Sequence, residues 1–530
     1  MLRRASVVFG LLVLGFAVIG FRIAGIGKGV SQAANTSSAL SIDIAQLRGT
    51  VYDCEMRKLT NAETEIYAAA KPTNEAIALL KENLEPEIFE SVRDRMSKGK
   101  PVAVKTDCII GDSADIKTVL VPERYSSNSL ACHVIGYTDA SLNGISGIEK
   151  AYNSLLSQAA STVKVRFFAN ANGGVMLGED ISVEGAQDDK TGVVLTIDKD
   201  IQQVTELALD NSDTECAAAV VIEIESGAIR ACVSRPSFDP ENIAQSLGDE
   251  KSPLINRAFL PFSVGSVFKP VIAAAALDAG IDESFEYNCT GSVTHNGVTF
   301  NCHKDEGHGV LDLENAVAYS CNTYFIALAL EVGAENIVET ARKFGFGQEI
   351  MLADGIKSAA GYLPEADELD SKAATANISF GQGSLLATPV QICSMMASVA
   401  RNGVYVQPYL IEGEMNSDGE MTRIRSYTER RQIIPHSVAK KLRGYLEKVV
   451  EKGSGKRAAS EYVTAAGKTA TAQTGKSENG EEIYNAWFAG YFPADNPKYA
   501  VAILKEDGGE GALSCAPVFK DIACAITLIK

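Results

Sequence analysis

The sequence has 530 residues, of which 46% are hydrophobic and only 16 are proline, so it is long enough for two or three folded domains and is not typical of a disordered chain. Its formal charge of −18, from 49 basic and 67 acidic residues, argues against nucleic acid as a partner. Its eleven cysteines contain no C-x-x-C pair, and their spacing resembles neither a small disulfide scaffold nor a zinc ribbon.

The first predicted element is an apolar segment near the N-terminus. Arg3 and Arg4 precede an apolar run from Ala5 to Phe21, which is interrupted by Arg22. The run is longer than most signal-peptide cores and slightly short for a full span, so an uncleaved anchor and a cleaved signal peptide both fit it. If residues 1–28 are an anchor, the basic residues predict that the N-terminus lies inside the cell and the rest of the chain outside.

Residues 29–190 are predicted to form a non-catalytic domain. Small and polar residues from Gln32 to Ser41 indicate a linker at its start. The segment from Asn74 to Lys98 has helical spacing and many charges, which favours a solvated helical insertion. No residue pattern in this domain indicates chemistry, so we interpret it as a spacer that raises the following domain above the membrane.

Residues 191–530 show a mixture of helical and strand patterns. Apolar residues recur at helical spacing from Ile201 to Ala208, and two strand-like runs around the Ser226-Gly227 turn predict a hairpin. An all-helical middle carrying Ser320 and Gln382 follows, and strands come last. This order predicts an α+β fold, in which helices cover a sheet.

The most informative stretch contains an S-x-x-K tetrapeptide, Ser266 to Lys269. Pro270 and the apolar run from Val271 to Leu277 predict a helix that begins near Ser266. Lys269 then lies one turn after the serine, where it could accept the serine proton if it were neutral, and burial and the helix dipole both favour that form. A tetrapeptide alone is weak evidence, since a serine at this place is often only a helix cap.

Two further motifs follow in a characteristic order. Ser320, Cys321 and Asn322 form an S-x-N triplet in a helical region, and Lys468, Thr469 and Ala470 form a K-T-x triplet in a strand-like region. The set S-x-x-K, S-x-N and K-T-G is typical of serine acyl-transferases that act on D-alanyl peptides and β-lactams. Three motifs in one order are far rarer by chance than any one of them.

On these motifs the chain resembles the class B penicillin-binding proteins, which are membrane-anchored peptidoglycan transpeptidases. The resemblance extends over nearly the whole chain, and further segments that carry it are Arg48–Asp53, His133–Tyr137, Gly144–Lys150, Ser234–Pro240, Gly307–Gly309, Gly381–Gly383 and Trp487–Pro493. It implies a single transmembrane helix at residues 1–28, an elongated pedestal or dimerisation-type domain at 29–190, and a transpeptidase domain with an all-helical subdomain at 191–530.

The resemblance also implies roles for the motif residues. Ser266 would attack the carbonyl of the penultimate D-alanine of a stem peptide, and Lys269 would accept the serine proton. Ser320 would relay a proton to the leaving amine, Asn322 would hydrogen-bond the substrate and hold Lys269, and Lys468 would supply a second cation.

The K-T-x strand is expected to bind the substrate as well. By the same resemblance, Thr469 and Thr471 would bind its terminal carboxylate, and the backbone N–H groups of Ser266 and Thr471 would form the oxyanion hole. Ala470 stands where the family usually has glycine. Its methyl group would point across the cleft or toward the Ser266 helix, and we expect a cleft tightened for bulky β-lactam side chains.

Cysteine and histidine residues between the first two motifs raise the possibility of a metal site. Cys289, Cys302, His303 and His308 are of the residue types that bind zinc, but their spacing fits no common zinc pattern. The resemblance already includes the segment around His308. The sequence therefore predicts a packed or disulfide-linked loop, with no metal and no cofactor.

The partners implied by the resemblance are peptidoglycan stem peptides, β-lactams and a lipid-linked-glycan polymerase in the same membrane. Two other functions fit the motifs. A β-lactamase or carboxypeptidase would use the same serine and transfer the acyl group to water, and would be recognised by turnover of penicillin. A β-lactam sensor or scaffold would have kept the fold without catalysis, and a lack of acylation would favour a scaffold of this kind.

Overall fold

The computed structural model describes residues 2–34, 38–126, 129–170, 174–185, 190–281, 284–424, 430–478 and 480–530. The helices are α1 Leu2–Ala34, α2 Asn74–Asn83, α3 Pro86–Ser97, α4 Cys132–Ile135, α5 Gly147–Ala151, α6 Asn153–Leu156, α7 Lys199–Asp210, α8 Lys269–Asp278, α9 Leu313–Ala318, α10 Asn322–Val332, α11 Ala334–Lys343, α12 Lys372–Ser379, α13 Pro389–Ala400, α14 His436–Glu451, α15 Gly511–Ser514 and α16 Ala516–Ile529.

The strands are β1 Ser38–Leu47, β2 Thr50–Tyr52, β3 Glu63–Ala70, β4 Val102–Thr106, β5 Ile116–Glu123, β6 Ser161–Ala169, β7 Ser182–Glu184, β8 Gly192–Leu195, β9 Ala217–Glu223, β10 Ile229–Arg235, β11 Phe262–Ser263, β12 Tyr287–Cys289, β13 Ser292–His295, β14 Val298–Asn301, β15 Gly309–Leu311, β16 Ile350–Ala353, β17 Ile356–Ser358, β18 Leu386–Ala387, β19 Val404–Val406, β20 Ile411–Met415, β21 Met421–Arg423, β22 Arg430–Gln432, β23 Ala466–Glu478, β24 Glu481–Phe492 and β25 Tyr499–Lys505.

The chain divides into two compact units. The first contains residues 1–48, 61–124 and 159–189, and the second contains 49–60, 125–158 and 190–530. Two segments inside the predicted domain of residues 29–190, namely 49–60 and 125–158, fold with the second unit. The cause is long-range pairing: β2 runs parallel to β8, with Thr50 opposite Gly192, which draws the earlier strand into the second unit.

The first unit is built from two three-stranded sheets, with strand orders β1-β6-β7 and β4-β3-β5. Helices α2 and α3 confirm the predicted helical insertion. Thr73 caps α2 by accepting a hydrogen bond from the Ala76 N–H, and Leu80 and Phe89 bury their side chains in a core with the β3 residue Ala68. This small core explains why a segment rich in charge still folds as two helices.

Helix α1 carries an apolar stretch from Val8 to Ala24, which is 17 residues long. Its large apolar side chains are exposed, from 53% at Val13 to 86% at Phe21. Among the described residues, only Gly511–Ile529 is long and apolar enough to cross a membrane by length and composition. That segment contains α16, whose residues Phe519 and Ile522 are fully buried against the second unit's sheet, so we interpret it as a core helix.

The second unit is organised around a five-stranded antiparallel sheet of order β10-β9-β25-β24-β23. The predicted hairpin is confirmed as β9 and β10. One face packs on the large core that includes α8 and α13, and the other packs on the core that includes α7 and α16. This is the predicted α+β arrangement, and it leaves β23 at an edge of the sheet.

The middle of the second unit differs from the all-helical expectation. Helices α9 to α12 are present, but short antiparallel strand pairs accompany them: β12 with β15 and β13 with β14 precede α9, and β16 with β17 lies between α11 and α12. The turn between β13 and β14 is Asn296-Gly297, and both residues have positive φ, at 51° and 77°. An Asn-Gly pair is a strong signal for a two-residue hairpin, so the sequence itself indicates the β13–β14 hairpin.

Candidate active site

Ser266 lies where a 3₁₀ turn, Gly265–Phe268, leads into α8. Pro270 occupies the start of that helix, as predicted, because its fixed φ suits a first turn and its missing N–H costs nothing there. Val267 and Phe268 are fully buried, whereas Ser266 is only half-buried. The serine is therefore held on a rigid, packed turn and still reaches the surface.

Contacts from distant parts of the chain fix this turn. The Gly265 N–H donates to the Gly381 carbonyl at 2.9 Å, and a Cβ on Gly381 would lie only 2.0 Å from the carbonyl oxygen of Gly265. Trp487 Nε1 donates to the Ser263 carbonyl at 2.9 Å. The Gly381 and Trp487 motif segments thus act as supports that set the backbone on both sides of Ser266.

Lys269 is fully buried, and its side-chain nitrogen lies within hydrogen-bond distance of three oxygen atoms. Its Nζ donates to the Ser320 carbonyl at 2.7 Å and to Asn322 Oδ1 at 2.8 Å, and it lies 5.2 Å from the centre of the Phe325 ring. Burial lowers the pKa of Lys269 to about 7, although Cys321 and Cys302 oppose that shift. A large share of Lys269 is therefore neutral at neutral pH, which is the form a base requires.

Ser320 stands between α9 and α10 and joins the two lysines. Its hydroxyl oxygen accepts hydrogen bonds from Lys468 Nζ at 2.8 Å and from Lys269 Nζ at 3.2 Å. Lys468 is also fully buried, and its pKa lies well below the ordinary value, first because of burial and then because of Lys269. Ser320 has a φ of 55°, a left-handed conformation that is uncommon for serine and that often marks a functional site.

The strand residues after Lys468 alternate between the two faces of β23. Ala470 and Ala472 share the face of Lys468. The side chain of Ala470 is only 4% exposed and packs with other residues of the large core. This position does not support the expected narrowing of the cleft by the Ala470 methyl group. Thr469 and Thr471 occupy the other face, where the Thr469 hydroxyl meets Ser454 Oγ at 2.8 Å.

Thr471 combines exposure with an available hydroxyl proton. Its side chain is exposed, and its Oγ1 accepts a 3.3 Å hydrogen bond from the Gly511 N–H, which leaves the hydroxyl hydrogen free to donate elsewhere. The backbone around it lies close to the serine turn, because a Cβ on Gly265 would be 3.2 Å from the Thr471 carbonyl oxygen. The edge of β23 and the Ser266 turn thus border the same site.

The cysteine-rich loop is packed, which is one of the two expected alternatives, and its cysteines are free and not disulfide-linked. Cys289, Cys302 and His308 come together with Cys321, whereas His303 is not part of the group. The sulfurs of Cys302 and Cys321 are 3.9 Å apart, which is far longer than the roughly 2.0 Å of a disulfide bond. The sequence analysis did not include Cys321 among the candidate metal ligands, because it lies inside the S-x-N motif. Its residue type alone could have marked it as a candidate.

Comparison with known proteins agrees with this geometry. Residues 217–523 match the family described as penicillin binding protein transpeptidase domain. Penicillin-binding protein PbpB of Mycolicibacterium smegmatis is 31% identical over 477 residues, covering 85% of this chain and 69% of that protein.

Two crystal structures are also similar to this chain, each at 25% sequence identity. The D,D-transpeptidase domain of a peptidoglycan glycosyltransferase from Eggerthella lenta has a TM-score of 0.67 and covers 91% of this chain and 98% of its own. Penicillin binding protein 3 from Mycobacterium tuberculosis, complexed with aztreonam, has a TM-score of 0.66 and covers 92% of this chain and 97% of its own.

Proposed function

The chain belongs to the class B penicillin-binding proteins and is a peptidoglycan D,D-transpeptidase, and from that premise we propose that Ser266 forms its acyl-enzyme. The observation that carries this assignment is the buried hydrogen-bonded group of Lys269, Ser320, Asn322 and Lys468, which begins one turn after Ser266. A buried lysine with a lowered pKa, one turn after a serine at a packed turn, is an arrangement that can activate a hydroxyl nucleophile.

Acylation uses the serine and the two lysines. Ser266 Oγ attacks the carbonyl carbon of the penultimate D-alanine while Lys269 Nζ takes the hydroxyl proton. The C–N bond then breaks, and the departing amine of the terminal D-alanine receives a proton through Ser320 Oγ, which Lys468 and Lys269 both contact. An ester to Ser266 remains, and free D-alanine leaves.

Binding and charge stabilisation come from the backbone and from the edge of β23. The N–H groups of Ser266 and Thr471 form the oxyanion hole, and the hydroxyls of Thr471 and Thr469 bind the terminal carboxylate. The support for Thr471 is stronger, since its hydroxyl hydrogen is free and its side chain is exposed. Asn322 Oδ1 accepts a hydrogen bond from Lys269, and its amide nitrogen, which donates one hydrogen to the Asn301 carbonyl at 3.0 Å, has a second hydrogen for the peptide.

Deacylation follows the same route in reverse. The amine of a neighbouring stem peptide attacks the ester carbonyl and loses a proton to Lys269, and the C–O bond to Ser266 breaks. The product is a peptide cross-link, and Ser266 regains its proton. A β-lactam carbonyl would enter the same pathway and stop at the acyl-enzyme.

Mass spectrometry after treatment with benzylpenicillin tests the assignment. The adduct should lie on the peptide that contains Ser266, and Ser266→Ala should abolish it. Ser212→Ala is a matched control, because among the described residues the Ser212 hydroxyl donates to the Leu209 carbonyl at the end of α7 and to no other group. An adduct on another serine, or labelling that persists in Ser266→Ala, would contradict the proposal.

We also propose that α1 anchors the protein in the cell membrane as a single pass, with the catalytic unit outside. The exposed apolar side chains from Val8 to Ile23 support this, because water would solvate such a helix poorly. A lipid-linked-glycan polymerase in the same membrane would then be a partner. If α1 is an anchor, the protein stays with membranes after alkaline washing and keeps its original N-terminus. A mature N-terminus near Ala34 would show that a signal peptide had been removed.

A further inference from the structure

Four metal-ligating side chains meet beside the S-x-N motif. The ligand atoms of Cys289, Cys302, His308 and Cys321 all lie within 4.8 Å of one another. Cys302 Sγ is 3.9 Å from Cys321 Sγ, and His308 Nδ1 is 3.5 Å from Cys302 Sγ and 3.6 Å from Cys289 Sγ. Tetrahedral zinc, with Zn–S of about 2.3 Å and Zn–N of about 2.0 Å, would separate two sulfurs by about 3.8 Å and a sulfur from a nitrogen by about 3.6 Å.

From this spacing we propose that the four residues bind one structural zinc ion in a Cys₃His site. On binding, the three thiols would release their protons to solvent and coordinate as thiolates, and neutral His308 would use its Nδ1 lone pair. All four tetrahedral positions would then be filled by the protein, so the ion would have no open position for a substrate. The proposal replaces the sequence-based expectation of a loop without metal.

The loop is built closely around these ligands. Cys289, Cys302 and Cys321 are 2%, 3% and 0% exposed. Gly307, with a φ of 79°, lets the loop approach the strand that bears Cys289, because a Cβ at this position would lie 2.1 Å from the Cys289 carbonyl oxygen. The Cys302 N–H also donates to the Gly291 carbonyl at 2.7 Å. The backbone therefore holds the ligands together by its own contacts.

A disulfide between Cys302 and Cys321 is the main competing interpretation. It would require the sulfurs to approach to about 2.0 Å, and it would give no role to Cys289 or to the histidine nitrogen that faces two sulfurs. A metal ion accounts for all four side chains at once. The four ligands come from separate elements: they lie at the end of β12, after β14, before β15 and before α10. A bound ion would therefore cross-link this region.

The position of Cys321 gives the ion a second role, which rests on the proposed function. Cys321 lies between Ser320 and Asn322, and Ser320 holds an unfavourable positive φ of 55°. Such a conformation persists only when its surroundings fix it. By holding Cys321, the zinc ion would position the Ser320 hydroxyl and the Asn322 amide for Lys269.

Metal analysis of the full-length protein tests the site without reference to activity. The protein is purified in detergent, without chelators, from cells supplied with zinc, and its metal content is measured by mass spectrometry. We expect one zinc per chain in the wild type and much less than one in Cys289→Ser and His308→Gln. Cys393→Ser and His295→Gln are matched controls outside the cluster and should keep one zinc. A wild-type protein without stoichiometric metal would overturn the proposal.

Thiol alkylation separates zinc from a disulfide even if a ligand variant fails to fold. In the folded wild-type protein, Cys302 and Cys321 should resist alkylation until a chelator removes the metal, with no reductant needed. Alkylation that requires a reductant and ignores the chelator would show a disulfide and refute the zinc site. Both readouts are independent of Ser266, so a failed zinc site and a failed acyl-enzyme assignment are distinguishable.

Discussion

Lys468 donates a hydrogen bond to Ser320 Oγ at 2.8 Å, although 148 residues separate them, and Lys269 reaches the same oxygen at 3.2 Å. One hydroxyl therefore links both cations of the site. Charging both buried lysines around one oxygen is unfavourable, because each would lack solvation and each would repel the other. The arrangement disfavours the state in which both lysines are charged: Lys269 lowers the pKa of Lys468, and burial lowers the pKa of Lys269, so that Lys269 can take the proton of Ser266.

The first prediction concerns the pH dependence of acylation. Burial lowers the pKa of Lys269 to about 7, so the base is protonated and inactive below that pH and neutral above it. The acylation rate constant for a fluorescent penicillin should rise with pH, with a midpoint near 7, and then level off. Stopped-flow fluorescence on the folded protein measures it. A midpoint near 10 would indicate an ordinary solvated lysine and contradict the proposed base.

A second prediction concerns the side chain of Lys269 itself. Lys269→Met keeps most of the buried volume and removes the base, so acylation should fall by about two to four orders of magnitude. Lys343→Met, on the exposed surface of α11, is the control and should acylate at the wild-type rate. Thermal unfolding reports whether each variant folds. Wild-type acylation in folded Lys269→Met would show that the lysine is structural.

The catalytic elements were predictable because their signals are local. Pro270 and the following apolar run mark the start of α8, and the turn at Ser226-Gly227 joins β9 to β10. The hydrogen-bonded group was not predictable in the same way. Lys468 and Ser320 meet only because the sheet and the helices pack together, and no spacing in the sequence encodes that contact.

Two other features escaped prediction for similar physical reasons. The unit boundaries depend on the parallel pairing of β2 with β8, which lies about 140 residues further along the chain, whereas the sequence suggested a single boundary near Lys190. The cysteine cluster depends on the packing of four separate elements, which bring Cys321 to Cys289, Cys302 and His308. Spacing rules for zinc sites assume neighbouring ligands, so they did not find it.

A third prediction tests how the Ser266 turn is held. Alanine at Gly381 would bring its Cβ within 2.0 Å of the Gly265 carbonyl oxygen, so the turn must move, and acylation should fall on the order of 10- to 100-fold. Gly383→Ala is the matched control. Its φ is also positive, at 83°, but its Cβ would meet only the Asn377 side chain, at 3.4 Å.

Both variants place alanine in the left-handed region, which costs about 1–2 kcal/mol in each case. Thermal unfolding should therefore show a loss in both, whereas only Gly381→Ala should acylate slowly. Equal acylation rates in the two variants would mean that the contact between Gly381 and Gly265 does not position the serine.

The fourth prediction concerns Ala470, which stands in the place of the glycine of the K-T-G pattern. Because the methyl group packs in the core, Ala470→Gly should lower the free energy of unfolding by about 0.5–1 kcal/mol and leave the ratio of cephalosporin to penicillin acylation rates unchanged. Ala219→Gly, fully buried on β9, is a control for the stability loss. An altered ratio in Ala470→Gly alone would show that the methyl group contacts the ligand.

The last prediction joins the proposed zinc ion to the proposed chemistry. If the ion holds Cys321, its removal frees Ser320 to leave its φ of 55°, and the hydroxyl no longer meets both lysines. Acylation of the chelator-treated wild-type protein should then fall on the order of 10- to 100-fold, because small displacements of catalytic groups have effects of this size. Adding zinc back should restore the rate, which a permanently unfolded protein could not do. Cys393→Ser should respond like the wild type, since the Cys393 sulfur lies in the core, where it contacts the Val220 and Ala500 carbonyls and is not part of the cluster. A protein that loses its zinc and still acylates at full rate would show that the ion stabilises the loop without positioning Ser320.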